Sequence, residues 1–245
     1  TIPQILMTAE ERRRYLDGKI TALVHCPFTR EFGRIEAEDF IRDIICGLFH
    51  ARYVVVGTDF KFGYQKRGDI GMLKQYAGRY GYELAVIEKE RYEDRVISST
   101  YIKELLGQGN ICLSSRLLGY HYGITGKVEH GKKLGRTLGF PTFNVEWPEG
   151  KLVPPWGVYL SDILVDGRWF HGITNVGVKP TVSRSERVLA ESFLFDYDDD
   201  AYGKEVTVRL LEFRRAEKVF AGVEELRACI DRDVEYGRHF FASEE

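Results

Sequence analysis

Near Gly119 the chain changes its period, and that change restricts it to two architectures joined end to end. Before it, short apolar runs alternate with helical patterns: a strand-like run Ile20 to Cys26, a helix from about Glu36 to Leu48, a β-branched run Tyr53 to Val56, a helix from about Asp69 to Tyr80, and a strand around Leu84 to Ile87. Strand and helix alternating at this spacing predict a parallel α/β sheet. Thr8-Ala9-Glu10-Glu11 is a capping-box pattern that opens an earlier helix. Ser98, Ser99 and Thr100 supply N-cap oxygens for a helix running to about Leu106, and a short helix, Ile111 to Leu118, leads to the boundary. Beyond Gly119 come short strands separated by glycine and proline: Tyr122 to Glu129, Gly157 to Leu164, Trp169 to Val176, Ser192 to Tyr197 and Glu205 to Phe213. They predict a closed or nearly closed antiparallel barrel, covered on one side by an amphipathic helix from about Val223 to Phe241. The expected domains are residues 1–118 and 119–245.

With 245 residues and 44% apolar content the chain can fill real cores. Its 35 basic and 37 acidic residues nearly cancel, so no global field attracts nucleic acid or an anionic membrane. Any phosphate must be bound locally. Cys26, Cys46, Cys112 and Cys229 are widely spaced and form no metal or disulfide framework, no run reaches the length of a membrane span, and the N-terminus lacks a secretory pattern. A cytoplasmic protein with neither nucleic-acid nor membrane partners is expected.

The stretch Gly126 to Asn144, GKVEHGKKLGRTLGFPTFN, concentrates glycines with Lys127, Lys132, Lys133 and Arg136. Glycine lets backbone N–H groups approach an anion and the cations neutralise it, so a di- or triphosphate fits; a solvated basic loop is the competing reading. The spacing is not that of a Walker P-loop.

GRTLGFPTFNV closely resembles the nucleotide- and Mg²⁺-binding signature GxxLGFPTAN of riboflavin kinases, and of the bacterial bifunctional riboflavin kinase/FMN adenylyltransferases in particular. GVYLSDILVDGRWFHGITNVGVKPTV resembles the barrel core of that family, and ESFLFDYDDDAYGKEVTVRLLEFRR its strand, acidic turn and strand. The resemblance implies a six-stranded Greek-key riboflavin kinase barrel with a C-terminal helix, which uses ATP and Mg²⁺ to convert riboflavin to FMN and releases ADP. It implies Thr142 and Asn144 as Mg²⁺ ligands and Glu191 as the base for the ribityl 5′-hydroxyl. Gly126, Lys127, Lys133, Gly135, Arg136, Gly139, Pro141 and Asn144 would hold the nucleotide. A turn Thr and Asn bonding their own backbone, and a solvent-facing strand glutamate, are the ordinary alternatives. Asp196 to Asp200 reads as a solvated turn rather than a metal cage. Phe143 stands where the family usually has alanine, a bulky ring between two polar positions.

The first half is similar to the nucleotidyltransferase module of the same family. VVVGTDFKFGYQKRGD matches VGxDFxFGxxxxGD, and ISSTYIKELL matches ISSTxIRExL with Lys103 in place of arginine. Ser98, Ser99 and Thr100 would bind nucleotide phosphate at the helix start, although N-capping alone also accounts for them. The His-x-Gly-His motif of the family is not in these residues, and its six histidines are scattered. The expectation is therefore an incomplete Rossmann-like nucleotidyltransferase module, FMN formation, and doubtful FAD formation by the chain as given. A bifunctional FAD synthetase with a longer N-terminus, or a flavin-binding regulator without turnover, are the alternatives.

Overall fold

The computed structural model describes residues 4–129, 140–180 and 186–243. They form two compact units, Gly18–Ile97 and a larger one that joins Thr1–Asp17 to Ser98–Glu245. The first helix, α1 (Ala9–Leu16), belongs to the larger unit and opens on the expected capping box: Thr8 Oγ1 accepts from the Glu11 N–H and Glu11 accepts from the Thr8 N–H.

In the smaller unit, α2 (Ala37–Asp39) runs on as a π-helical segment, Phe40–Leu48, followed by β1 (Tyr53–Gly57), α3 (Ile70–Tyr80) and β2 (Glu83–Ile87). β1 and β2 pair in parallel with Tyr53 opposite Glu83, and α3 makes the crossover. Asp69 caps α3 by accepting the Met72 N–H at 3.0 Å, and Gly81, at φ 71°, ends it in the left-handed conformation that glycine adopts freely. Ile41 and Leu73 are fully buried, and the Tyr82 hydroxyl donates to the Leu73 carbonyl at 2.6 Å. A short hairpin of β3 (Arg91–Tyr92) and β4 (Arg95–Val96) closes the unit. The expected strand Ile20 to Cys26 is absent. Its alternation is strand-like, but it pairs with no described strand, and Ile20, Leu23 and Val24 are exposed. Alternation makes a strand only where a neighbour takes the backbone hydrogen bonds.

In the larger unit, α4 (Ser99–Gly107) and α5 (Ile111–Leu118) precede β5 (Gly123–Glu129), β6 (Thr142–Glu146), β7 (Gly157–Val165), β8 (Arg168–Pro180), β9 (Glu186–Leu194) and β10 (Glu205–Ala216); α6 (Val223–Ala242) follows. The six strands close an antiparallel barrel in the order β10-β5-β6-β9-β8-β7. Two of them differ from the sequence reading. β6 is formed by the Thr142–Asn144 motif itself, and β9 starts at Glu186 rather than Ser192. β10 pairs with β5 along one edge and with β7 along the other, and register shifts at Leu210/Glu212 and Phe213/Arg215 interrupt its ladder with β7. At Gly123 a Cβ would lie 1.9 Å from the Val208 carbonyl oxygen, so only glycine permits the β5–β10 approach.

Inside the barrel, Ile124, Val145, Tyr159, Ile163, Val165, Val208 and Leu210 are essentially inaccessible, each contributing roughly 1.5–3 kcal/mol by burial. A thread of buried hydroxyls joins Ser161 to Thr174 at 2.7 Å and Thr174 to Ser192 at 2.9 Å. Outside, α6 buries Cys229, Asp233, Gly237 and Phe241, with Phe241 in a cluster with Val158, Leu160, Ile173 and Phe195 and with Gly237 close to Phe195 and Leu160. The four-residue spacing puts these helix residues on one face.

Candidate active site

Because side chains alternate along a strand, Phe143 and Val145 of β6 point into the barrel while Thr142 and Asn144 point outward. The bulky Phe143 is thus taken up by the interior, at 6% exposure. Pairing then sets the outward residues in rows. Asn144 lies opposite Glu191, Glu191 opposite Asn175, Asn175 opposite Val158, and Val158 opposite Arg215. The adjacent row holds Thr142, Phe193 and Ile173. Between the rows, Thr142 Oγ1 donates to Glu191 Oε1 at 2.7 Å.

This polar corner borders a cavity of about 450 Å³ with an apolar wall that includes Val158, Ile173, Phe193, Phe220 and Ile230 and a charged stretch formed by Arg215, Glu217, Lys218 and Asp233. Such a volume suits a planar ring system with a polar tail. At its floor Asp233, 2% exposed, accepts from Arg215 at 2.7 and 2.8 Å. Lys218 pairs with Glu225 at 2.6 Å across the turn that leads into α6, and holds the Glu225 carboxyl below its usual range. A second cavity, of about 260 Å³, shares Thr142 and is lined by Pro141, Phe143 and Asp198 to Asp200. Among the described residues no group of three or more His, Cys, Asp or Glu side chains is placed to hold a metal.

The sequence-derived residues fall in different places. Thr142, Asn144 and Glu191 meet on one face. Gly126 lies on β5, where a Cβ would stand 2.8 Å from Val145, so packing alone excludes a side chain there. Lys127 is exposed on β5 opposite Glu205, and Pro141 borders the smaller cavity. Lys133, Gly135, Arg136 and Gly139 lie outside the described residues. Ser98 caps α4 by accepting the Tyr101 N–H at 3.2 Å, with Ser99 and Thr100 in the first turn. Sequence reasoning missed Asn175, Arg215, Glu217 and Asp233. Only Asp233 carries a signal, as a charge on the apolar face of α6.

In the smaller unit, Phe28, Phe32, Phe40, Phe60 and Phe62 line a cavity of about 200 Å³. It is shaped by Gly63, at φ 71°, where a Cβ would lie 2.6 Å from the Ala37 backbone.

The family model described as riboflavin kinase matches residues 118–241, and that described as FAD synthetase matches residues 1–101. Fold, site and matches define a two-module transferase of FAD biosynthesis, with ATP as its co-substrate. A bifunctional riboflavin kinase/FMN adenylyltransferase of Haemophilus influenzae is 35% identical over 98% of this chain and 78% of its own length. The protein of the same description from Escherichia coli K12 is 35% identical over 98% of this chain and 76% of its own. The chain belongs to the bifunctional riboflavin kinase/FMN adenylyltransferase family. A solved Streptococcus pneumoniae chain titled a macrolide-efflux protein superposes with a TM-score of 0.86 at 29% identity, covering 96% of this chain and 76% of that one. Efflux is the description of that protein. Among the described residues of this chain, no helix is long and apolar enough to cross a membrane.

Proposed function

We propose that the barrel transfers the γ-phosphoryl group of ATP to the ribityl 5′-hydroxyl of riboflavin, giving FMN and ADP, with Glu191 as general base. The hydrogen bond from Thr142 to Glu191, at the edge of a cavity with an apolar wall, carries this reading. As the substrate oxygen attacks the γ-phosphorus its proton passes to the Glu191 carboxylate, and the bond to the β-phosphate oxygen breaks with its electron pair leaving on ADP. By donating its proton to Glu191, Thr142 turns the carboxylate and keeps its own lone pairs for another partner.

Thr142 and Asn144 are hard oxygen donors on one face, the chemistry that suits Mg²⁺, and they are the residues that would hold it. Bound there, Mg²⁺ would neutralise charge on the transferring phosphates. Gly126, Lys127 and Pro141 flank the segment containing Lys133, Gly135, Arg136 and Gly139, and we assign this group to the nucleotide phosphates.

Residues 1–118 are read as the FMN adenylyltransferase module and 119–245 as the riboflavin kinase domain, in keeping with the matched ranges 1–101 and 118–241. Ser98, Ser99 and Thr100 at the start of α4 are assigned to nucleotide phosphate in the first module. The four free cysteines accord with a cytoplasmic location.

Incubation with riboflavin, ATP and Mg²⁺, followed by chromatography of the flavins, tests the reading. FMN should form, and Glu191→Gln should reduce turnover about 10²-fold or more while riboflavin affinity is retained. Near-normal turnover in that variant would remove Glu191 from its role, and riboflavin binding without FMN formation by the wild type would instead identify a flavin-binding regulator.

A further inference from the structure

Across the sheet from Glu191, on the side away from Asn144, stands Asn175. Its Nδ2 donates to Glu217 Oε1 at 3.2 Å. A carboxylate only accepts, so this bond decides which way the amide faces: nitrogen toward Glu217, Oδ1 turned away from it. Glu217 is itself seated just beyond β10, its N–H donating to the Trp156 carbonyl at 3.3 Å. Its side chain passes over Gly177, where a Cβ would lie 2.0 Å from Oε1. A bare glycine two residues from Asn175 on the same face thus gives the orienting carboxylate its room.

The order of groups along the row points to a purpose. Thr142 and Asn144 stand on one side of the base, and Val158 and Ile173 begin the apolar wall on the other. Asn175 lies between the base and that wall, one strand spacing of about 4.8 Å from Glu191. Arg215, the next polar group in the row, is already committed to Asp233. A substrate with its reacting hydroxyl at Glu191 and its ring on the apolar wall must therefore lay its connecting chain across Asn175.

Resting on the kinase reading above, we propose that Asn175, oriented by Glu217, recognises the hydroxyls of the ribityl chain and so selects a flavin bearing a polyol. The amide accepts a hydroxyl proton at Oδ1 and donates through its second N–H. Glu217 is a positioning residue that acts through Asn175.

The test compares riboflavin with lumiflavin, which has the same ring without the polyol, by fluorescence titration of folded protein. Asn175→Ala should weaken riboflavin roughly 10-fold and leave lumiflavin within about 2-fold. Gly177→Ala, which crowds Glu217, and Glu217→Leu should lower the riboflavin preference in the same direction. Glu217→Gln, which can still accept from Asn175, should restore it to within about 3-fold of wild type. Equal weakening of both flavins, or an unchanged preference in all four variants, would overturn the proposal. If the wild type binds riboflavin and makes FMN in either case, the kinase reading stands apart from this result; a wild type that does neither would sink both.

Discussion

At the scale of single residues, strand alternation separates chemistry from packing within three consecutive positions. Thr142 and Asn144 face outward beside Glu191, and Phe143 between them faces the core. Thr142→Val and Asn144→Ala are therefore expected to raise the ATP and Mg²⁺ concentrations needed for half-maximal FMN formation more than that of riboflavin. Initial-rate kinetics with each component varied will show it, and a change confined to riboflavin would reverse the assignment. Phe143→Ala should do the opposite, lowering stability by roughly 3–5 kcal/mol in denaturant melts with little change in those constants. The motif residues were legible in the sequence because their spacing within a short strand is local. Asn175 and Glu217 were not, because their relation to Glu191 exists only once β8, β9 and β10 pair.

At the scale of elements, α1 is tied to the barrel by an ion pair that neither segment reveals alone. Lys151, 5% exposed, donates to both Glu11 oxygens at 2.6 Å and lies 5.0 Å from the Tyr122 ring centroid. Burial draws the Lys151 ammonium below its usual range, and Glu11 opposes that shift. Ile5 adds a parallel bridge to the same residue. The two partners are not equivalent, because Glu11 also closes the capping box and sits at the positive end of α1. Glu11→Gln keeps the cap geometry but leaves a buried cation without its counter-charge, and should cost about 3 kcal/mol or more. Lys151→Met should cost less. Urea unfolding of both variants decides this, and the reverse order would show that an unpaired carboxylate at Glu11 costs more than an unpaired ammonium at Lys151.

For the whole molecule, charge is balanced by many exposed pairs rather than a few buried ones. Arg13 holds the Glu10 carboxyl below the ordinary range, Arg42 that of Asp43, Lys89 that of Asp59, Arg14 that of Glu205, and Arg187 that of Glu146. These groups stay ionised in the fold at a pH where the unfolded chain takes up protons, so their contribution is present above the ordinary carboxylate range and is lost as pH falls through it. The melting temperature should stay level from neutrality to about pH 5 and fall below it, less steeply in high salt because the pairs are exposed. A melting temperature unchanged to pH 3 would contradict this. The amino-acid sequence by itself determined the change of architecture and the helix caps at Thr8 and Ser98, because periodicity and capping are local properties of a chain, and its resemblance to a known family singled out Thr142, Asn144 and Glu191. Tertiary structure alone decided that Ile20 to Cys26 is no strand, that the Thr142 motif is itself the sixth stave, and that α1, α4 and α5 pack with the barrel. Each of these depends on which distant segment supplies a backbone partner, a counter-charge or an apolar surface, and no window of sequence contains both members of such a pair.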